Sequence, residues 1–541
     1  MNKNLKIMLS LVLTFALLIG TAGCSSGSTN SGATATLTIG STVQIDTLNP
    51  LTSNMQVAYE VFLLIYDPLV RADENLKPVP CLAKEWTLSA DQLTWTFKLQ
   101  QGVKWHDGEP FTSKDVKFTY DLMKKTNLGY QYNSFLTGIS KIECPDDNTV
   151  VITTDKPKAN MLMNTTPILP EHIFAKIPTT ELETYANAAP VGTGPFKFDS
   201  TGEGFVKLVK NPDYFGGAAK LDEIILMSYS NSDVLAQALK LGEVDAATNL
   251  NATQKSQLKD DKNISIISGE VPGFMQIGLN CWADSKSAGN PLLRDKKIRQ
   301  AIELATDKQQ ILDMAYGGEG KVGTTLINPG DFYHYEPTAA EKRDFNIDKA
   351  NAMLDAAGYK DTNGDGVRED SKGKMLEFKL ISIADKTEEV KAAQLIAASC
   401  AKAGIKIDTV TMDDGALSDK IYAGSYDMFI WGWGADIDPT TILGILTTEQ
   451  IGGNNEPYFT NARYDELFKL QMSEMDVNKR QKLVFEMQQI AYENAPYIIM
   501  IYDNNLQAIR SDRWTGFKQI PEAGPYFFNF TYYNYMNMQH K

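Results

Sequence analysis

Residues 388–433 read EEVKAAQLIAASCAKAGIKIDTVTMDDGALSDKIYAGSYDMFIWGW, and their spacing sets the fold class. Val390, Ala393, Ala397 and Cys400 recur at helical spacing, which predicts a helix over 388–403 that Gly404 can cap. Cys400 then falls among core positions as a buried thiol. The next stretch, 405–410, predicts a strand, 418–423 a short helix, and the aromatic-rich 426–433 a buried strand. Helix, strand, helix, strand at these lengths predicts an α/β crossover unit and at least partly parallel sheets. Ligands of such sheets bind beyond the carboxyl ends of strands, so the end of the 426–433 strand is where a site is expected.

Working outward, LTWTFKL (93–99) alternates as a half-buried strand, and a turn follows at HDGEP (106–110). Thr112 then suits an N-cap, Asp115 is favourable in the first turn, and Val116, Tyr120 and Met123 share one helix face. Strand-like segments recur near 150–154, 205–210 and 223–229. The chain has 541 residues, enough for about three to four domain-sized units. With 43% hydrophobic and 22% charged residues it carries ample core material, which excludes disordered and disulfide-only scaffolds. Its 52 basic against 67 acidic residues give a net charge of −15, against a nucleic-acid partner that needs a basic footprint.

Lys3 and Lys6 precede an apolar stretch over 7–19, about 13 residues and roughly 20 Å of helix, short of the ~30 Å membrane core. It reads as a secretory signal. The following Thr21-Ala22-Gly23-Cys24 resembles a bacterial lipoprotein signal, with residues 1–23 removed and a lipid on Cys24. Two acyl chains suffice for stable anchoring. A plain secreted protein, cut near Ala22-Gly23 with Cys24 incidental, is the other reading. Residues 24–36, rich in Ser, Gly and Thr, read as a flexible tether. Cys81, Cys144, Cys281 and Cys400 permit up to two disulfides, in any of three pairings.

Seven motifs in order then point to a family. The densest is LAKEWTLSADQLTWTFKLQQGVKWHDGEPFTSKDVKFTY (82–120). Around it stand DTLNP (46–50), YDPLV (66–70), GTGPFKF (192–198), NPDYFGG (211–217), GEVDA (242–246) and PLLRDKKIRQAIELATDK (291–308). Together they resemble the bacterial extracellular solute-binding proteins of family 5, the peptide/nickel receptors of ABC importers. The resemblance covers about 36–541 and implies a type II periplasmic-binding-protein fold, two α/β lobes around a ligand cleft. A third domain is inserted in lobe I. Lobe I maps to 36–75, 190–272 and 505–541, the insertion to 76–189 and lobe II to 273–504.

The resemblance also implies the site. A Gly-Trp-x-x-Asp pattern, here Gly432 to Asp436, sets an aspartate against the α-ammonium of a bound peptide, with Trp431 and Trp433 as flat walls. A carboxylate in a closed cleft makes a charge-assisted bond worth about 1.5–3 kcal/mol. The bland reading has Asp436 capping the turn and both tryptophans in the core; Asp438 reads as a turn residue before Pro439. Ser53, Asn54, Met55 and Gln56 fall where peptide binders meet the ligand backbone, and Tyr132 lies either over the cleft or in the core. Ile430 stands where some oligopeptide binders carry a basic residue, which leaves a peptide's C-terminal anchor open.

Other signals are weaker. Residues 361–370 mimic a calcium loop with Gly366 at position 6, but position 12 is Lys372, so a hairpin turn into a strand at 375–381 is the plainer reading. His106, His172, His334 and His540 form no metal motif, and His106 reads as structural. Neither GxSxG nor a P-loop occurs. The expectation is a monomeric, non-enzymatic, lipid-anchored extracytoplasmic receptor without cofactor. It takes short peptides and works with an ABC permease and its ATPase. Alternatives are a nickel-chelate, haem or oligosaccharide receptor, or a peptide-sensing lipoprotein.

Overall fold

The helix in the diagnostic stretch spans Thr387–Ala401, with Ala392, Ala393, Ile396 and Cys400 buried along one face. Gly404, at φ +71°, supplies the left-handed residue that turns the chain into the strand Lys406–Met412. That strand runs parallel to Glu377–Ile383, which is also parallel to Met428–Gly434 on its other side. The intervening helix, Asp414–Tyr422, starts four residues earlier than the apolar pattern suggests. The cause is Asp413, whose carboxylate caps it by accepting the Ala416 N–H at 2.9 Å. The structure, a computed structural model, describes residues 34–53, 55–434, 438–521, 524–528 and 532–541.

Two strands lie side by side where one sheet passes into the next. Tyr497–Arg510 pairs through its first residues with Gly273–Leu279, and through its last with Ile264–Glu270 and Ala246–Leu250. Beyond Ala246–Leu250 come Thr36–Ser41 and Glu223–Ser228 in parallel, then Phe205–Lys210 and Phe196–Gly202 antiparallel. On the other side, Gly273–Leu279 pairs antiparallel with Met428–Gly434. The sheets therefore communicate through two neighbouring antiparallel segments, near 271–273 and 502–504.

A separate antiparallel sheet is ordered Ala83–Leu88, Thr94–Leu99, Thr149–Thr154, Ile139–Asp146. Helix Ser113–Thr126 covers it. Thr112 caps this helix reciprocally: its hydroxyl accepts the Lys114 N–H, and Asp115 accepts the Thr112 N–H at 2.9 Å. Val116, Tyr120 and Met123 are buried as the periodicity requires. Their core is continuous with that of the first sheet, joining Leu37 and Ile39 to Phe97 and Ile152. The strand Met428–Gly434 instead divides two cores. Met428 and Ile430 face Ile277 and Ile498, while Phe429, Trp431 and Trp433 face Phe274 and Ile499.

All four cysteines among the described residues are free thiols, so neither possible disulfide is made. Cys400 is fully buried, which pushes its thiol up to about 12 and leaves it inert. In the 361–370 loop, Asp361 accepts the N–H groups of Gly364 and Gly366, and Asp365 that of Val367. The acids close a turn onto their own backbone, and a short bridge ladder, Lys360 to Glu369 to Met375, leads into Glu377–Ile383.

Candidate functional site

Alternation along Met428–Gly434 decides what its carboxyl end offers. Trp431 and Trp433, two residues apart, share a half-buried face, while Gly432 and Gly434 lie on the other and are exposed. Trp433 stands opposite Phe274, and its indole N–H donates to Glu456 Oε2 at 3.1 Å. The same oxygen accepts the Tyr497 hydroxyl at 2.8 Å. Burial pushes the Glu456 carboxyl up to about 7 against those two bonds. Trp431 packs edge-on against Phe429, with ring centroids 6.5 Å apart. Ile430 is in the opposite core at 0% exposure, so a basic side chain there would need a different strand register.

Asp436 lies outside the described residues, as does Cys24. The chain is described again from Asp438, which is more than a turn residue. Its Oδ1 accepts the Thr440 N–H and Arg480 Nη2, both at 2.9 Å, and its Oδ2 accepts Arg480 Nη1 at 2.7 Å. Arg480 also donates to Thr440 Oγ1 and to the carbonyl and amide oxygens of Gln471. Tyr333 covers the guanidinium, 5.3 Å from its ring centroid. The segment leaving Trp433 is thus pinned to helix Val477–Asn494 two residues after Asp436. Burial raises the Asp438 carboxyl, but Arg480 outweighs it and holds the group below the usual carboxylate range.

The residues expected on the opposite wall are placed as follows. Ser53 is buried, its hydroxyl donating to Asp46 Oδ1 at 2.7 Å and accepting the Met55 N–H at 3.3 Å. Met55 is 40% exposed at the start of helix Gln56–Ile65. Asn54 and the Gln56 side chain lie outside the described residues. Tyr132 is buried against Gly129 at the edge of the first core. Its neighbour Gln131 accepts the Tyr59 hydroxyl, which also reaches Ser53 O, so these turns are tied together.

Several signature motifs build the scaffold. His106 is half-buried between two glycines: its Nδ1 accepts the Gly192 N–H at 3.2 Å, and its Nε2 lies 2.9 Å from Gly194 O. Desolvation lowers it to about 4, so the imidazole is neutral. A Cβ on Gly192 would lie 1.8 Å from Ile65 O, so only glycine lets that loop reach helix Gln56–Ile65. Asp67 collects Thr193 Oγ1 and Tyr214 OH, both at 3.0 Å, joining YDPLV, GTGPFKF and NPDYFGG at one buried carboxyl.

Sequence reasoning missed Arg480, Glu456 and Tyr333. Arg480 left one trace, falling in register with Val484, Met487 and Ala491 as a cation on a buried helix face.

The fold thus sets two sheets, linked by neighbouring strands, beside an aromatic strand end. A model described as bacterial extracellular solute-binding proteins, family 5, middle region, matches residues 77–454, and the chain belongs to that family. The oligopeptide-binding protein AppA of Bacillus subtilis is 27% identical over 542 residues, covering 97% of this chain and 98% of AppA. Its structure in complex with a nonapeptide matches at a TM-score of 0.78 and 26% identity, over 94% of this chain and 99% of that one. A putative ABC transporter peptide-binding protein of Brucella ovis is 30% identical over 479 residues, 85% of this chain and 86% of its own. NikZ from Campylobacter jejuni, solved with Ni(L-His), gives a TM-score of 0.79 at 25% identity over 93% and 99% of the two chains. The fold is the mixed α/β type II arrangement of periplasmic binding proteins. Family members are solute-binding proteins, not enzymes. Among the described residues no helix is long and apolar enough to cross a membrane.

Proposed function

We propose that this protein is the extracytoplasmic substrate-binding lipoprotein of an ABC importer, capturing short peptides by closure of its lobes and delivering them to a membrane permease. The observation that carries the reading is the Trp431–Trp433 strand end, which lies beside the two-strand connection at 271–273 and 502–504. The names of the Bacillus and Brucella relatives support peptide cargo. In this reading 36–75, 190–272 and 505–541 make one lobe, 273–504 the other, and 76–189 the insertion. Asp436 receives the peptide ammonium, Trp431 and Trp433 wall a side chain, and Ser53–Gln56 and Tyr132 line the facing side. Closing over a ligand that bridges both lobes shifts the population toward the form the permease meets. The ATPase supplying energy is a separate subunit.

Asp436→Asn is expected to weaken free-amine peptides about ten- to 150-fold, the value of a charge-assisted bond, and to spare N-acetylated ones. The test is calorimetry on protein freed of cargo by unfolding and refolding, with nickel plus histidine as a parallel titrant. Unchanged affinity for free-amine peptides removes Asp436 from the site. A response to nickel and histidine alone keeps the receptor and replaces the cargo, as in NikZ. Cys24→Ala is expected to move the protein from the membrane fraction to the medium; retention on membranes ends the lipoprotein reading.

A further inference from the structure

One continuous hydrophobic core joins the 76–189 insertion to the first lobe: Phe97, Ile152 and Met161 belong to it together with Leu37, Ile39 and Ile509. None of its buried members comes from 273–504, a stretch that fills two cores of its own. The insertion therefore travels with the first lobe in any motion about the connections at 271–273 and 502–504. A tie from the insertion to 273–504 has to break when the lobes part.

Such a tie is present at one turn. The Ala159 N–H donates to Met472 O at 2.9 Å, reaching from the insertion to the end of helix Ala462–Ser473. Three residues on, the half-buried Met475 is, among the described residues, the only hydrophobic side chain of 273–504 packed against the first core. Both sides of this contact are held in place. On the insertion side Lys158 is 3% exposed, its ammonium donating to Ser134 O at 3.0 Å and Thr137 O at 2.9 Å, and Met161 is buried in the first core. Ala159 is thus fixed from before and from after. On the other side Asp476 caps helix Val477–Asn494 by accepting the Asn478 and Lys479 N–H groups. Arg480, one turn into that helix, donates to Gln471 O and holds Asp438. The turn at 472–475 is therefore built onto the same helix that pins the chain after Trp433. One backbone bond and one half-buried methionine suit a contact that biases an equilibrium rather than a permanent seam.

We infer that 158–161 and 472–475 form a clasp, through which the inserted domain docks on the second lobe as the receptor closes and from which it parts on opening. This rests on the two-lobe reading of the chain. A clasp acts on the balance of open and closed forms, so it sets the affinity for every ligand by one common factor.

The experiment pairs Ala159→Cys with Met472→Cys in refolded, cargo-free protein, where the 2.9 Å backbone bond puts the two positions within disulfide reach. Peptide mapping locates the new bond, since the four native cysteines among the described residues are free thiols, and each single-cysteine variant controls for the oxidant. Small-angle scattering of the empty pair variant is expected to give a smaller radius of gyration oxidised than reduced. A panel of di- to octapeptides is expected to bind the reduced form and to lose binding to the oxidised one. Equal radii, failure of the pair to oxidise, or peptide binding by the oxidised protein each overturn the inference. Met475→Gln leaves the backbone bond in place and is expected to weaken all bound peptides by one factor, about three- to tenfold. A loss confined to particular peptides makes Met475 a ligand contact and rejects the clasp. If no peptide binds either form, the cargo reading falls, and the scattering comparison still decides the clasp.

Discussion

Arg480→Met is expected to lower unfolding stability by roughly 3–5 kcal/mol, the range for removing one partner of a buried ion pair. The pair is 42 residues apart in sequence and bidentate at 2.7 and 2.9 Å, so both carboxylate oxygens lose a charged donor once the guanidinium is gone. Arg480 also satisfies Thr440 Oγ1 and Gln471, and those acceptors would be left inside a closed core. Of an ordinary total of about 5–15 kcal/mol this is a large share. Urea unfolding at neutral pH measures it, and a loss under about 1 kcal/mol would show that water reaches Asp438. Adding Asp438→Asn is expected to restore most of the loss, since the amide oxygen still accepts the Thr440 N–H without a charge. Acid should narrow the gap between wild type and Arg480→Met. In wild type the Asp438 carboxyl is held low, so its contribution is present above the unfolded carboxylate range and fades as pH falls through the lowered folded value. In Arg480→Met, protonation of an unpaired carboxylate removes the penalty instead.

That ion pair also marks where sequence reading ends. Local rules carried the crossover unit and the Thr112 cap, because each depends on residues within a few positions of one another. The helix at Asp414 was misplaced because its apolar residues start late, whereas the cap at Asp413 sets the boundary. Tyr497–Arg510 forms one strand, and nothing local in its sequence reveals that it serves two sheets. That property belongs to its partners, Gly273–Leu279 and Ile264–Glu270. Glu456 lies in a loop of unremarkable composition and acquires its raised pKa only from Trp433, Tyr497 and burial. His106, Gly192 and Gly194 belong to motifs that marked the family, with His106 read as structural, and their geometry shows a close approach of loop to helix.

Gly273→Ala is expected to cost about 2–5 kcal/mol and to weaken ligand binding with it, because it strikes the connection and the site at once. Gly273 opens strand Gly273–Leu279 at φ +131°, a region that side chains rarely adopt, and its N–H donates to Asn328 Oδ1 at 2.9 Å. A Cβ there would lie 2.2 Å from Trp433 O and 3.1 Å from Gly434 Cα. Both are backbone atoms, so no rotamer change relieves the overlap. The end of Met428–Gly434 must move, and residues 435–437 start from that end. Gly434 faces Gly273 across the same pair of strands, yet a Cβ on Gly434 meets nothing within 4 Å. Gly434→Ala is therefore the matched control, expected to stay within about 0.5 kcal/mol of wild type as surface changes usually do. Urea unfolding and peptide calorimetry on the two variants separate a steric requirement at Gly273 from a general need for glycine in this strand pair. If both variants behave alike, the close approach at Trp433 O does not govern the site. If only Gly273→Ala fails, the backbone contact between the connection and the tryptophan strand sets where Met428–Gly434 ends.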